Sequence, residues 1–110
     1  MAHDRLPNQL PDAIRDGTGL MWVSIDLCVV PIGVGVSLSP YVATCETVIR
    51  ATGLTHQLGP NGTAIEGPWD AVMECVRACH DALHAMGAPR IYTPLKLNTR
   101  IAREQSFLDK

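Results

Sequence analysis

Glu66 is the side chain best placed to do chemistry. It lies in the run Asn61-Gly62-Thr63-Ala64-Ile65-Glu66-Gly67-Pro68-Trp69-Asp70, which compresses a turn, a short strand and a helix start around one acid. Asn-Gly favours a tight hairpin because both residues tolerate positive φ, so Thr55-His56-Gln57-Leu58 and Thr63-Ala64-Ile65-Glu66 are expected to pair. Gly67-Pro68 then stops the strand and opens a helix, since proline has no amide hydrogen to lose at the first helical position. Glu66 is thereby expected at a strand end beside a helix N-terminus, facing a crevice of the kind in which open sheets bind ligands.

Other chemistry-bearing patterns carry less. An enzyme needs a nucleophile with a base and an orienting group, or paired acids at a working separation. Neither is legible; Asp26 and Glu66 sharing one face with Lys96 and Arg100 is explained by an interface salt-bridge network. His80 and His84 are one helical turn apart, and Cys75 with Cys79 repeats that spacing, but the two pairs point in different directions. Without a His-Glu-x-x-His or paired Cys-x-x-Cys pattern no metal site is assigned. Gly33-x-Gly35 lacks the third glycine of a dinucleotide fingerprint and the lysine of a phosphate loop, so it reads as a flexible connection and no cofactor is called for.

The 110 residues, 46% hydrophobic and 18% charged, have the composition of one soluble globular domain. A net charge of −2 with nine scattered Lys and Arg argues against nucleic acid as a partner. No apolar run approaches the ~18–20 residues that span a bilayer, and the polar first twenty residues lack the apolar segment of a secretory signal, so no membrane is involved and the expected compartment is the cytoplasm. With no such signal, Cys28, Cys45, Cys75 and Cys79 read as reduced thiols, Cys75 and Cys79 packing as small hydrophobes.

The elements that must position Glu66 follow from periodicity. Residues 1–19, with three Leu or Ile positions and two prolines but no sustained period, read as an irregular N-terminal arm; the domain is assigned to 20–102 and a charged tail to 103–110. Val23, Ile25, Leu27 and Val29 alternate with Ser24, Asp26 and Cys28 up to Pro31, a first strand with its apolar side under helices. Ser39 as N-cap and Pro40 as first helical residue open a helix to Thr52, with Tyr41, Cys45, Val48, Ile49 and Thr52 on one face and Gly53 after its end. Leu54–Leu58 and Thr63–Glu66 form the hairpin. Val72, Val76, Cys79, Leu83 and Met86 stripe a second helix that Gly87 and Pro89 end. Arg90–Thr99 gives a last strand, and Pro94, which removes a ladder donor, marks it as an edge. The order is βαββαβ, an α+β ferredoxin-like sandwich: a four-stranded antiparallel sheet with two helices on one face. Its bare face, where Asp26 and Lys96 are expected opposite one another with Ser24, Asn98, Gln57 and Glu66 nearby, predicts a homo-oligomer.

With the elements placed, four blocks resemble the thiamine-binding protein family: Val29-Val30-Pro31-Ile32-Gly33, Ser39-Pro40-Tyr41-Val42, Gly62-Thr63-Ala64-Ile65-Glu66-Gly67 and Arg90-Ile91-Tyr92-Thr93-Pro94-Leu95-Lys96. The Thr-x-Ile-Glu-Gly block in this order is fairly specific, and the resemblance covers about Val23 to Arg100. It implies a ferredoxin-like domain that assembles through its sheets as a dimer or tetramer, and binding of thiamine or its hydroxymethylpyrimidine portion without catalysis.

A thiamine site needs a carboxylate, hydroxyl or amide groups and an aromatic wall. The resemblance implies Glu66 for the pyrimidine amine or the thiazolium charge, Asn61 and Thr63 as polar contacts, Trp69 as a stacking face, and Ser37 and Ser39 completing the pocket. Each also has a structural role to fill: Glu66 can pair with a base or cap the next helix, Trp69 can pack, Ser39 is first an N-cap and Asn61 first a turn residue. The remaining alternative is an assembly protein whose sheet mediates oligomerisation, with another small metabolite as ligand.

Overall fold

A computed structural model of the chain describes residues 21–101, so the expectations for the arm 1–19 and the tail 103–110 lie outside the described residues. The elements are β1 (Met21–Leu27), β2 (Val30–Ile32), α1 (Ser39–Thr52), β3 (Thr55–Leu58), β4 (Thr63–Pro68), α2 (Trp69–Ala85), β5 (Arg90–Tyr92) and β6 (Leu95–Ile101). Four strands form an antiparallel sheet in the order β3-β4-β1-β6, which with α1 and α2 makes the ferredoxin-like sandwich.

The first and last strands are each interrupted. Val30–Ile32 pairs with Arg90–Tyr92 as a separate ribbon, in the register that already joins Met21–Leu27 to Leu95–Ile101. Between the two ladders the Cys28 amide donates to the Pro94 carbonyl at 3.2 Å. Pro94 has no amide to return the bond, and this is where the single strand expected from Arg90 to Thr99 breaks. Its edge position is as expected, since β6 is the outermost strand beside β1.

The helix starts also differ from expectation. Helix α1 begins one residue earlier, with Leu38 at the cap position: its carbonyl accepts from the amides of Tyr41 and Val42, both at 3.0 Å, and Ser39 makes no capping bond. Pro68 likewise is not the first helical residue; it is the extended last residue of β4 (φ −60°, ψ 144°), and Trp69 starts α2. At the far end of α1, Gly53 adopts φ 75°, a left-handed conformation that glycine enters without a Cβ penalty, and its amide bonds the Arg50 carbonyl.

The core lies between the sheet and the helices. Val23, Ile25 and Leu27 of β1 and Ile65 of β4 meet Cys45 and Ile49 of α1 and Val72, Cys75, Cys79 and Leu83 of α2, all buried. Met86, expected at the end of the α2 stripe, lies just past the helix and is exposed. The described residues place no helix on the other face, where register sets Asp26 opposite Lys96 and Ala64, and Glu66 opposite Ser24 and Thr55. Asp26 and Lys96 are neighbours but form no ion pair with one another; Glu46 pairs with Arg50 and Arg77 with Asp81, both along helices.

Candidate functional site

The β3–β4 hairpin closes over a tight turn in which the Gly59 amide donates to the Gly62 carbonyl at 2.8 Å. Gly62 lies against the end of β1, so close that a Cβ there would stand 2.8 Å from the Leu27 carbonyl oxygen. This contact fixes the hairpin tip relative to β1 and to the helix above it. Between them is a cavity of about 440 Å³. Its walls are Leu27, Cys28 and Val29 at the end of β1, Val42, Cys45, Glu46 and Ile49 from one side of α1, and the turn from Leu58 to Thr63.

The volume suits a small organic molecule, and so does the lining: mostly apolar, with few polar groups to set orientation. Asn61 contributes an amide and Thr63 a hydroxyl from the hairpin. Glu46 supplies the carboxylate, half-exposed and held by Arg50 Nη2, which donates to its Oε1 at 2.7 Å. Of the two cysteines in the cavity wall, Cys28 and Cys45, the latter belongs to the buried core with Cys75 and Cys79. The Cys79 thiol beside them favours the charged forms of Cys45 and Cys75 and holds both below the ordinary thiol range against the opposing effect of burial, while Cys79 itself is pushed up.

Of the six residues singled out by sequence, the cavity brings together Asn61 and Thr63. Glu66 is three residues beyond Thr63, and because side chains alternate along a strand it points to the opposite face. There it is 1% exposed and engaged in a polar interaction, in a row with Ser24 and Thr55. Trp69 starts α2 and is partly exposed, away from the cavity; Ser37 and Ser39 are exposed at the start of α1, outside the lining. Glu46 was missed. It is a carboxylate on a helix flank whose pairing with Arg50 at i, i+4 reads as an ordinary surface pair, and only the placement of α1 over the end of β1 turns it to the cavity.

The hairpin is a wall with two sides. On the open face a shallower depression of about 490 Å³ is lined by Asp26, Gln57, Ala64 and the same turn residues, Asn61 included. A second, of about 270 Å³, runs between Asp26, Lys96 and Asn98. The histidines are occupied elsewhere: His84 Nδ1 donates to the Ala88 carbonyl and His80 Nε2 meets Thr93 Oγ1, each at 2.7 Å. No helix among the described residues is long and apolar enough to cross a membrane.

Comparison with known proteins agrees with this architecture. The family model described as thiamine-binding protein matches residues 25–110. A UPF0045 protein of Synechocystis is 51% identical over 90 residues, 82% of this chain and 74% of that protein. One from Eremothecium gossypii is 40% identical over 87 residues, 78% and 83% of the two chains. Among solved structures, a domain of unknown function from Bacillus cereus superposes with a TM-score of 0.73 at 22% identity, covering 84% of this chain and 88% of its own. A Thermotoga maritima protein provisionally assigned to thiamine biosynthesis or salvage gives 0.63 at 23% identity, covering 70% and 82%. These two likenesses speak for the fold, and the family match and the closer relatives speak for descent. The chain belongs to the thiamine-binding protein family.

Proposed function

We propose that this chain is a non-catalytic, cytoplasmic, homo-oligomeric binder of thiamine or of its hydroxymethylpyrimidine portion, seated in the cavity under the β3–β4 hairpin. The observation that carries the reading is the cavity itself: about 440 Å³, apolar walls, an amide and a hydroxyl on one side and a carboxylate on the other. Asn61 and Thr63 serve the aminopyrimidine, which both donates and accepts. Glu46 faces the thiazolium cation, a role sequence reasoning gave to Glu66. The family description and the Thermotoga neighbour's assignment support a ligand of this class. The sheet face on which the described residues place no helix supports the assembly of a dimer or tetramer through that face.

Isothermal titration with thiamine and with hydroxymethylpyrimidine tests this. The wild type should give saturable heat with thiamine. Glu46→Gln should weaken thiamine binding about fivefold, matching the ~1 kcal/mol of a half-exposed ion pair, and leave the uncharged pyrimidine unaffected. Glu66→Gln, on the opposite face from the cavity, should leave the heat intact. No heat with either ligand at millimolar concentration would remove the thiamine reading and leave an assembly protein with another metabolite.

A further inference from the structure

The open face of the sheet holds hydrogen-bond donors that lack acceptors. Trp22 and Arg100 are directly opposite one another in the β1–β6 ladder, next to the opposed pair Val23 and Thr99. Because Val23 points into the core, both side chains leave the sheet on its other side. Trp22 Nε1, Arg100 Nε and Arg100 Nη2 are buried without a hydrogen-bond partner among the described residues. Nε and Nη2 form one edge of the guanidinium, the fork that receives both oxygens of a carboxylate. Unmet buried donors are costly and native folds keep few of them, so three at one spot call for an acceptor. Glu66 lies on this face, but its polar interaction is not with these three atoms. The other acid here is Asp26, which is exposed and pairs with nothing among the described residues.

We propose that the missing acceptor is the Asp26 carboxylate of a second copy of this chain. The open faces of two copies pack together about a two-fold axis, and Asp26 of each copy enters the Arg100 fork of the other, with Trp22 Nε1 beside it. The contact rests on the assembly reading above and names the side chains that fix its geometry. Symmetry makes it twice in each pair of subunits. The face suits a copy of itself, since Lys96 and Arg100 lie on β6 while Asp26 and Glu66 lie on β1 and β4. Each copy thus brings a basic side and an acidic side to the other.

The positions fit such an axis. Asp26 is one strand across from Arg100 and four residues along, since Asp26 is opposite Lys96. A two-fold axis between the faces exchanges the two positions when it crosses the midpoint of the line joining them. That midpoint falls between Ser24 and Asn98, which are themselves opposite one another and small enough for the sheets to approach. At ~3.4 Å per residue and ~4.8 Å between strands, the line is tilted about 20° from the strand direction. The exchange therefore sets the strands of the two sheets about 40° apart, close in magnitude to the ~30° of aligned sheet packing. Trp22 and Arg100 are each half-buried, so rotation of the long arginine side chain brings its fork to the partner's carboxylate.

Sedimentation velocity of the full chain, over a range of concentrations, tests the contact by charge exchange. The wild type should be an oligomer. Asp26→Arg and Arg100→Asp, each alone, put like charges at both contacts and should raise the dissociation constant of the assembly more than about tenfold. Mixing the two variants in equal amounts should restore the wild-type mass, because every contact between unlike copies again joins an arginine to an aspartate. Circular dichroism melts establish that each variant is folded before mixing. Asp26→Asn, a change of charge without change of shape at an exposed position, should by itself raise the dissociation constant about tenfold and keeps the test decisive if Arg100→Asp does not fold. A wild type that stays monomeric would remove the assembly reading and this contact with it. An oligomer that neither Asp26→Arg nor Asp26→Asn weakens would leave assembly standing and overturn the contact alone. So would folded variants whose mixture does not recover the wild-type mass, since Asp26 and Arg100 would then act within their own chain.

Discussion

Leu83→Ala is expected to lower the free energy of unfolding by about 2–5 kcal/mol, a large part of the ~5–15 kcal/mol that holds a small domain folded. Leu83 is fully buried, one helical turn beyond Cys79, and its carbonyl accepts from the amides of Met86 and Ala88, so the end of α2 is anchored through it. Truncation leaves a cavity with no mobile neighbour to fill it, since Val23, Val72 and Ile65 are themselves sealed. Urea unfolding followed by circular dichroism should show a lower midpoint with an unchanged slope. Asp81→Ala two residues earlier is the comparator. Its carboxylate is exposed, 3.8 Å from Arg77, and its loss should stay within about 0.5 kcal/mol. A cost below about 1 kcal/mol for Leu83→Ala would show that the last turn of α2 repacks and contributes little to the core.

That stripe is the part of the fold most legible in sequence. Val72, Cys79 and Leu83 recur at helical spacing and nothing else competes for them, and the alternation of Val23, Ile25 and Leu27 fixes the buried side of β1 as plainly. The boundaries were less legible for local reasons. Serine before proline reads as an N-cap, yet the Leu38 carbonyl captures the first turn; a proline after glycine reads as the first helical residue, yet Pro68 completes β4 because Trp22 still pairs with it. The candidate site was only half legible. Alternation alone separates Thr63 from Glu66, which sit an odd number of residues apart and so face opposite ways. Glu46 at the cavity depends on how α1 lies over the end of β1, a tertiary fact with no local signature.

Gly62→Ala is expected to abolish tight ligand binding while leaving the fold in place. A Cβ at this position would stand 2.8 Å from the Leu27 carbonyl oxygen and 2.9 Å from Asp26 Oδ1. The Asp26 carboxylate can rotate away; the Leu27 carbonyl belongs to a strand paired on both sides and cannot. The hairpin must therefore withdraw from β1, at a cost of about 1–3 kcal/mol for an overpacked contact. Withdrawal separates two walls of the cavity, Leu27–Val29 and Leu58–Thr63, and moves Asn61 and Thr63 relative to Glu46. Affinity for thiamine should fall more than tenfold. Asn61→Ala removes one polar group and leaves the Gly62 contact alone, so its loss should be smaller, about 0.5–1.5 kcal/mol for one hydrogen bond. The same turn also borders the depression on the open face, and Gln57→Ala, which touches only that side, separates the two. If Gln57→Ala weakens binding as much as Gly62→Ala does, the ligand sits on the open face beside Asp26. If Gly62→Ala lowers stability and leaves affinity unchanged, neither side of the hairpin holds it.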